Sequence, residues 1–169
     1  MGTHDYDKIQ GPITYEAKAP KDIKFRALKQ TEELDCEQLF EVLAKDQKLK
    51  KYLHIIKDKP LYPVFYDATG QVLSLPPIIN SYETRISHET KSVFIEMTGT
   101  DLRKLEVCLA VLAGQFSSHC EGESQFTIEQ VEVVYPHGTI EVYPKLQANE
   151  FELEVEYINR TLGVKLNVD

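Results

Sequence analysis

Long apolar runs are missing from this 169-residue chain. None approaches the roughly 20 residues of a membrane-spanning helix, which excludes a helical membrane protein. The amino terminus is polar from its first residues, so no secretory leader is expected. Cysteine is scarce. Cys36, Cys108 and Cys120 form no CxxC pair and no zinc-ligand spacing. This excludes a disulfide scaffold and points to a reducing, cytoplasmic setting. Positive charge is short as well: 19 Lys and Arg face 27 Asp and Glu, a net charge of −8. Lys45, Lys48, Lys50, Lys51 and Lys57 gather, but acidic residues precede them and no basic stripe forms. A surface built mainly to hold nucleic acid is therefore not expected. The chain also lacks a Ser-His-Asp order, a phosphate loop, a metal cluster, internal repeats and low-complexity segments.

What is present fits one folded domain. Hydrophobic content of 42% and charged content of 27% suffice for a core and a solvated surface at this length. Ile23, Phe25 and Ala27 alternate with Lys24 and Arg26, a short strand. Thr31-Glu32-Glu33-Leu34 reads as a helix start, and Leu34, Leu39, Phe40, Leu43 and Ala44 supply its apolar face. A second helical piece over 47–56 should pack Leu49, Tyr52, Leu53 and Ile56. Strands over 62–66 and 71–75 flank Asp67-Ala68-Thr69-Gly70, a hairpin turn with Gly70 at positive φ. Residues 80–89 read as a polar loop, with or without a short strand at 83–86.

Residues 92–98 predict a strand buried on both faces, since Val93-Phe94-Ile95 has no polar alternation. Residues 101–119 predict a helix within the core, apolar around much of its girth, with Thr100 as N-cap and Asp101 in the first turn. Cys36 and Cys108 should be buried in helices, and Gly114 should mark close backbone packing. After a loop over 120–124, strands over 126–135 and 139–143 enclose the turn Pro136-His137-Gly138. Phe151, Leu153, Val155 and Tyr157 alternate with Glu152, Glu154 and Glu156, a half-buried strand. The architecture is α+β: mixed sheets with one central helix and one or two peripheral ones.

The organising stretch is 73–101. Leu73-Ser74-Leu75-Pro76-Pro77-Ile78-Ile79-Asn80 carries a double proline, which cannot sit in a central strand. A shaped apolar loop beside a strand-turn-helix junction makes a pocket wall. Within Phe94-Ile95-Glu96-Met97-Thr98, a carboxylate is costly to bury unless it is paired. Glu96 therefore either reaches solvent, or meets Arg85 or Lys91, or serves a site. Period 2 puts Thr98 on its face. Among the histidines, His54 and His119 fall in helical patterns, His88 and His137 in loops, and His4 anchors the amino-terminal segment.

The segments LSLPPIIN (73–80) and ETKSVFIEMTGTD (89–101) resemble the editing module of phenylalanine–tRNA synthetase β subunits of the archaeal and eukaryotic cytosolic kind. Gly2-Thr3-His4-Asp5-Tyr6-Asp7, Gly11-Pro12, Asp22-Ile23-Lys24-Phe25, Tyr52-Leu53-His54-Ile55-Ile56 and Pro60-Leu61-Tyr62-Pro63-Val64 extend the resemblance over nearly the whole chain. It implies a three-layer arrangement of two sheets and helices. It implies an editing domain over 1–157, followed by the truncated start of another domain over 158–169, so that the chain is an excised piece of a longer subunit. The implied activity is hydrolysis of tyrosine wrongly esterified to tRNA(Phe). Glu96 and Thr98 would carry the chemistry, and Ser74, Pro76, Pro77, Ile78, Asn80, Glu96, Thr98 and Thr100 would contact substrate. From the residues alone, Thr100 could equally be only a cap, and Asn80 only a loop residue bonding its own backbone. The implied partners are the 3′ end of aminoacylated tRNA(Phe) and an α subunit in an α2β2 enzyme, with no membrane. ATP and Mg would belong to the whole enzyme, with no cofactor in this piece. The alternative is a noncatalytic structural or interaction module of the same subunit.

Overall fold

A computed structural model describes residues 1–120, 127–148 and 150–167. The chain divides into two compact units, Met1–Leu105 and Glu106–Asp169.

The first unit carries eight strands. In chain order these are β1 (Gly2–Asp5), β2 (Thr14–Lys18), β3 (Lys24–Phe25), β4 (Leu34–Asp35), β5 (Tyr62–Tyr66), β6 (Val72–Leu75), β7 (Ile79–Asn80) and β8 (Val93–Glu96). One helix, α1 (Cys36–Leu43), lies between β4 and β5. All pairings are antiparallel: a four-stranded sheet in the order β2-β5-β6-β7, and the two-stranded ribbons β1-β8 and β3-β4.

The core forms between α1 and one face of the large sheet. Cys36, Leu39, Phe40 and Leu43 recur at i, i+3, i+4 and i+7 and are all buried. They pack with Tyr62, Val64 and Tyr66 of β5, Val72 and Leu75 of β6, and with Ile23, Phe25 and Ala27. The last three alternate as expected. Helix α1 starts at Cys36, several residues later than Thr31-Glu32-Glu33-Leu34 suggested. Leu34 and Asp35 pair with Phe25 and Lys24, and Asp35 then caps the helix. Its Oδ1 accepts from Gln38 N at 2.9 Å, and Gln38 Oε1 accepts from Asp35 N at 3.2 Å, a reciprocal capping box.

The helix expected over 47–56 is a set of turns with one 3-10 turn, Leu53–Ile55. Asp46 Oδ1 takes the Lys48 and Leu49 amides at 2.7 and 2.9 Å and so turns the chain at its start. Leu53 and Ile56 still reach the core, whereas Tyr52 is exposed. The hairpin at 67–70 forms as predicted. Gly70 has φ +84°, and Asp67 Oδ1 accepts from Thr69 N and Gln71 N, both at 2.9 Å.

The second unit contains most of α2 (Leu102–Ser117), then β9 (Val131–Val134), β10 (Ile140–Tyr143) and α3 (Val155–Leu162). The β9-β10 hairpin matches the expectation, although positions 121–126 of the expected loop and strand lie outside the described residues. Helix α2 is present but is not a core helix. Only Ala113 is buried, while Leu102, Val107 and Val111 are more than half exposed and Cys108 is exposed. An apolar girth predicts burial only where something covers it. Among the described residues, no atom lies near the position of a Cβ on Gly114, so close packing does not explain it.

The strand expected over 151–157 does not form: residues 151–154 are irregular, and α3 takes over from Val155. Alternation alone cannot hold a strand without a neighbour. Val155, Ile158 and Leu162 also share a helical face, and Gly163 at φ +65° ends the helix. Tyr157 and Ile158, on either side of the domain boundary expected from the sequence, are consecutive residues of this helix.

Candidate functional site

The site is built on β6, the turn after it, β7 and β8. Phe65 pairs with Ser74, but Tyr66 pairs with Val72, so Leu73 is an extra residue in β6. This bulge keeps Val72 and Leu75 on the core face while turning Ser74 to the opposite face. Tyr15, Phe65, Ser74 and Asn80 consequently form one cross-strand row. Pro76 and Pro77 occupy a tight turn closed by Ile78 N to Leu75 O at 2.8 Å, rather than an extended loop. Their missing amides cost nothing there, since a turn's central residues need not donate.

Strand β8 pairs with β1, and Gly2 lies opposite Glu96. The ladder ends at the Gly2–Glu96 pair, and β8 stops there instead of continuing to Thr98. Nor is β8 buried on both faces. Val93 is exposed, Phe94 and Ile95 are half-buried, and only the charged Glu96 is buried, at 6% exposure. A two-stranded ribbon leaves one side of its residues open.

Glu96 neither reaches solvent nor meets Arg85 or Lys91. Its Oε1 accepts from Ser74 Oγ at 3.0 Å, and its Oε2 is buried with no partner. Burial pushes the carboxyl above its ordinary range, while the Ser74 bond and the chain's amino terminus pull the other way. A buried orphan oxygen is an expensive feature. Glu96 is one wall of a cavity of about 80 Å³, with Met1, Pro76, Pro77, Ile78 and Asn80 among the others.

The structure thus brings Pro76, Pro77, Ile78, Asn80 and Glu96 to one cavity, with Ser74 directly behind Glu96. Thr98 is half-buried and Thr100 exposed, and neither lines that cavity. Thr100 is not the cap of α2 either. Asp101 takes that role, its Oδ1 accepting from Lys104 N at 3.1 Å, because the helix begins one residue later than expected.

Three residues near Glu96 were not assigned to the site from the sequence: Tyr15, His4 and Gly2. Tyr15 stacks on Phe65 with ring centroids 4.5 Å apart. Burial first, and the Glu96 carboxylate second, push its phenol upward. His4 is fully buried, with Nδ1 2.7 Å from Thr84 Oγ1 and Nε2 unpartnered. Burial lowers its pKa to about 4, so the ring is neutral. Gly2 makes the room: a Cβ there would overlap Glu96 Oε1 and come within 2.8 Å of His4 Nε2. The alternation of Gly2 and His4 before a polar stretch was the one available signal, and it was too short to read as a strand.

Residues 1–107 match the family described as the B3/4 domain. The chain belongs to the B3/4 domain family. This B3/4 chain is 46% identical over 165 residues to the phenylalanine–tRNA ligase beta subunit of Mus musculus, and 48% identical over 167 residues to that of Caenorhabditis elegans. It is 46% identical over 169 residues to the Arabidopsis thaliana beta subunit named as cytoplasmic. These matches cover 98 to 100% of the chain but only 28% of each relative. Among solved structures it is similar to an N-terminal fragment of the phenylalanyl-tRNA synthetase beta-subunit from Pyrococcus horikoshii. The TM-score is 0.80 and the identity 41%, covering 98% of this chain and 45% of that one. Among the described residues, no helix is long and apolar enough to cross a membrane, and no three His, Cys, Asp or Glu side chains gather to hold a metal ion.

Proposed function

We propose that this chain is the editing module of a phenylalanine–tRNA ligase β subunit, hydrolysing tyrosine mistakenly esterified to tRNA(Phe). The observation that carries the reading is Glu96: a buried carboxylate with Oε2 unpartnered at the wall of the cavity beside Pro76 and Pro77. A tyrosine phenol would donate to Oε2. Phenylalanine would leave that oxygen desolvated and unpaired, which is how a polar site rejects an analogue lacking a hydroxyl. The reaction adds water across the ester, releasing tyrosine and the ribose hydroxyl. An activated ester of this kind needs mainly a held water and a held carbonyl. Thr98, next on the chain beyond β8, is the candidate contact for the amino group or ester, and Thr100 a more distant one. The 3′ end of aminoacylated tRNA(Phe) would enter from the open side. The α subunit, ATP and Mg would serve aminoacylation elsewhere in the cytoplasmic enzyme, and no step here is routed through them.

One observation favours a noncatalytic module instead. The cavity, at about 80 Å³, is smaller than the roughly 150 Å³ that encloses a benzene ring. A tyrosyl ring therefore requires a wall to move, and Met1, 62% exposed and unbranched, is the wall able to do so. The deciding experiment is deacylation of Tyr-tRNA(Phe) and Phe-tRNA(Phe) by the intact ligase and by Glu96→Ala. The editing reading expects the ratio of the two rates to collapse while phenylalanine charging persists. An unchanged ratio in a stably folded variant would leave only the structural role.

A further inference from the structure

The geometry points to His4 as a positioning residue for Glu96: its Nε2–H directs the carboxylate so that Oε1 is held and Oε2 is left free for the ligand. This rests on the editing reading of the same site.

Gly2 lies opposite Glu96, and His4 opposite Phe94. Gly2 and His4 share a face of β1, as Phe94 and Glu96 share a face of β8, so His4 and Glu96 are diagonal neighbours. The missing Cβ of Gly2 leaves a notch bordered by Glu96 Oε1 on one side and His4 Nε2 on the other. His4 Nε2 borders this notch without a hydrogen-bond partner.

The ring's orientation is fixed from behind. Thr84 is fully buried, its hydroxyl is 2.7 Å from Nδ1, and its carbonyl accepts from Asp5 N at 2.8 Å. A neutral imidazole has a single N–H. A carboxylate can only accept, so the arrangement that suits the notch is the one in which Thr84 donates to Nδ1 and Nε2 carries the proton. The reverse tautomer would set a lone pair against a buried anion. Ser74 donates to Oε1 at 3.0 Å, and the Nε2–H of His4 borders the same notch as that oxygen.

The test uses the intact ligase and three variants, each measured with Tyr-tRNA(Phe) and Phe-tRNA(Phe). His4→Phe keeps a ring and removes both nitrogens. Its ratio of kcat/KM values, tyrosyl over phenylalanyl, should fall at least roughly tenfold. His4→Gln returns an N–H near the Nε2 position and should recover most of that ratio. Thr84→Val removes the hydroxyl that fixes the ring from behind and should also lower the ratio, and it decides the matter if His4→Phe fails to fold. A purely structural His4 would lower the melting temperature and both rates together and leave the ratio unmoved. An unchanged ratio in folded His4→Phe, or in folded Thr84→Val where His4→Phe is unfolded, overturns the assignment. Glu96→Ala in parallel separates the two readings: if it too leaves the ratio intact, the editing role itself has failed.

Discussion

Acidification should destabilise this chain between pH 6.5 and 4, and His4 should be the main cause. In the unfolded chain its ring takes a proton near the ordinary value of 6.5, whereas in the fold burial delays this to about pH 4. Unfolding therefore takes up a proton within this window. The contribution of His4 is fully present above pH 6.5 and is lost as pH falls toward 4. At 1.36 kcal/mol per pH unit, with a discount for the screening that water near a small domain's core provides, this amounts to about 2 kcal/mol. Glu96 works in the opposite direction. Its carboxyl is raised above 4.5 in the fold, so its contribution falls as pH rises through that region. The wild-type slope is a partial cancellation, and the two variants pull it apart. Urea midpoints measured from pH 4.5 to 7 should rise with pH in the wild type, flatten in His4→Gln and steepen in Glu96→Gln. A His4→Gln profile parallel to the wild type would show that the buried ring is not what couples folding to protons.

Asp35→Ala removes one half of the α1 capping box and should cost about 1 kcal/mol in urea unfolding, at any pH above the carboxylate range. Leu39→Ala empties a fully buried site in the core and should cost about 2 to 5 kcal/mol in the same experiment, the spread depending on how far the core collapses. With a net charge of −8, the isolated chain should bind tRNA weakly; tight, steeply salt-dependent binding in a gel-shift assay would contradict this.

Elements whose cause is local were legible in the sequence. Gly70 and Asp67 specify their hairpin with nearby atoms, and Ile23, Phe25 and Ala27 alternate visibly. The wall of the cavity was legible for the same reason, because two successive prolines leave two ladder amides missing in a row. The start of α1 was misjudged because Asp35 is a good cap and Thr31 is also a plausible one; strand pairing of Leu34 decides between them. The burial of α2 was misjudged because apolarity reports what a helix can bury and not whether a partner is present. Strand β1 escaped notice because four residues with a glycine carry little propensity, and its existence depends on β8, more than eighty residues away. With β1 hidden, His4 could not be connected to Glu96, nor could Gly2 be seen as space for a carboxylate. The bulge at Leu73 was equally invisible: it is a property of pairing with β5, and it alone aims Ser74 at Glu96.

Glu96 Oε2 should receive the hydroxyl that distinguishes tyrosine from phenylalanine. A crystal structure with a nonhydrolysable 3′-tyrosylamino adenosine tests it most directly. The phenol oxygen should lie about 2.5 to 2.7 Å from Oε2, as a hydroxyl does on a carboxylate, with the ring against Pro76 and Pro77 and Met1 displaced. A tyrosyl ring bound away from Glu96, or a phenylalanyl analogue bound in the same pose with equal affinity, would contradict the account.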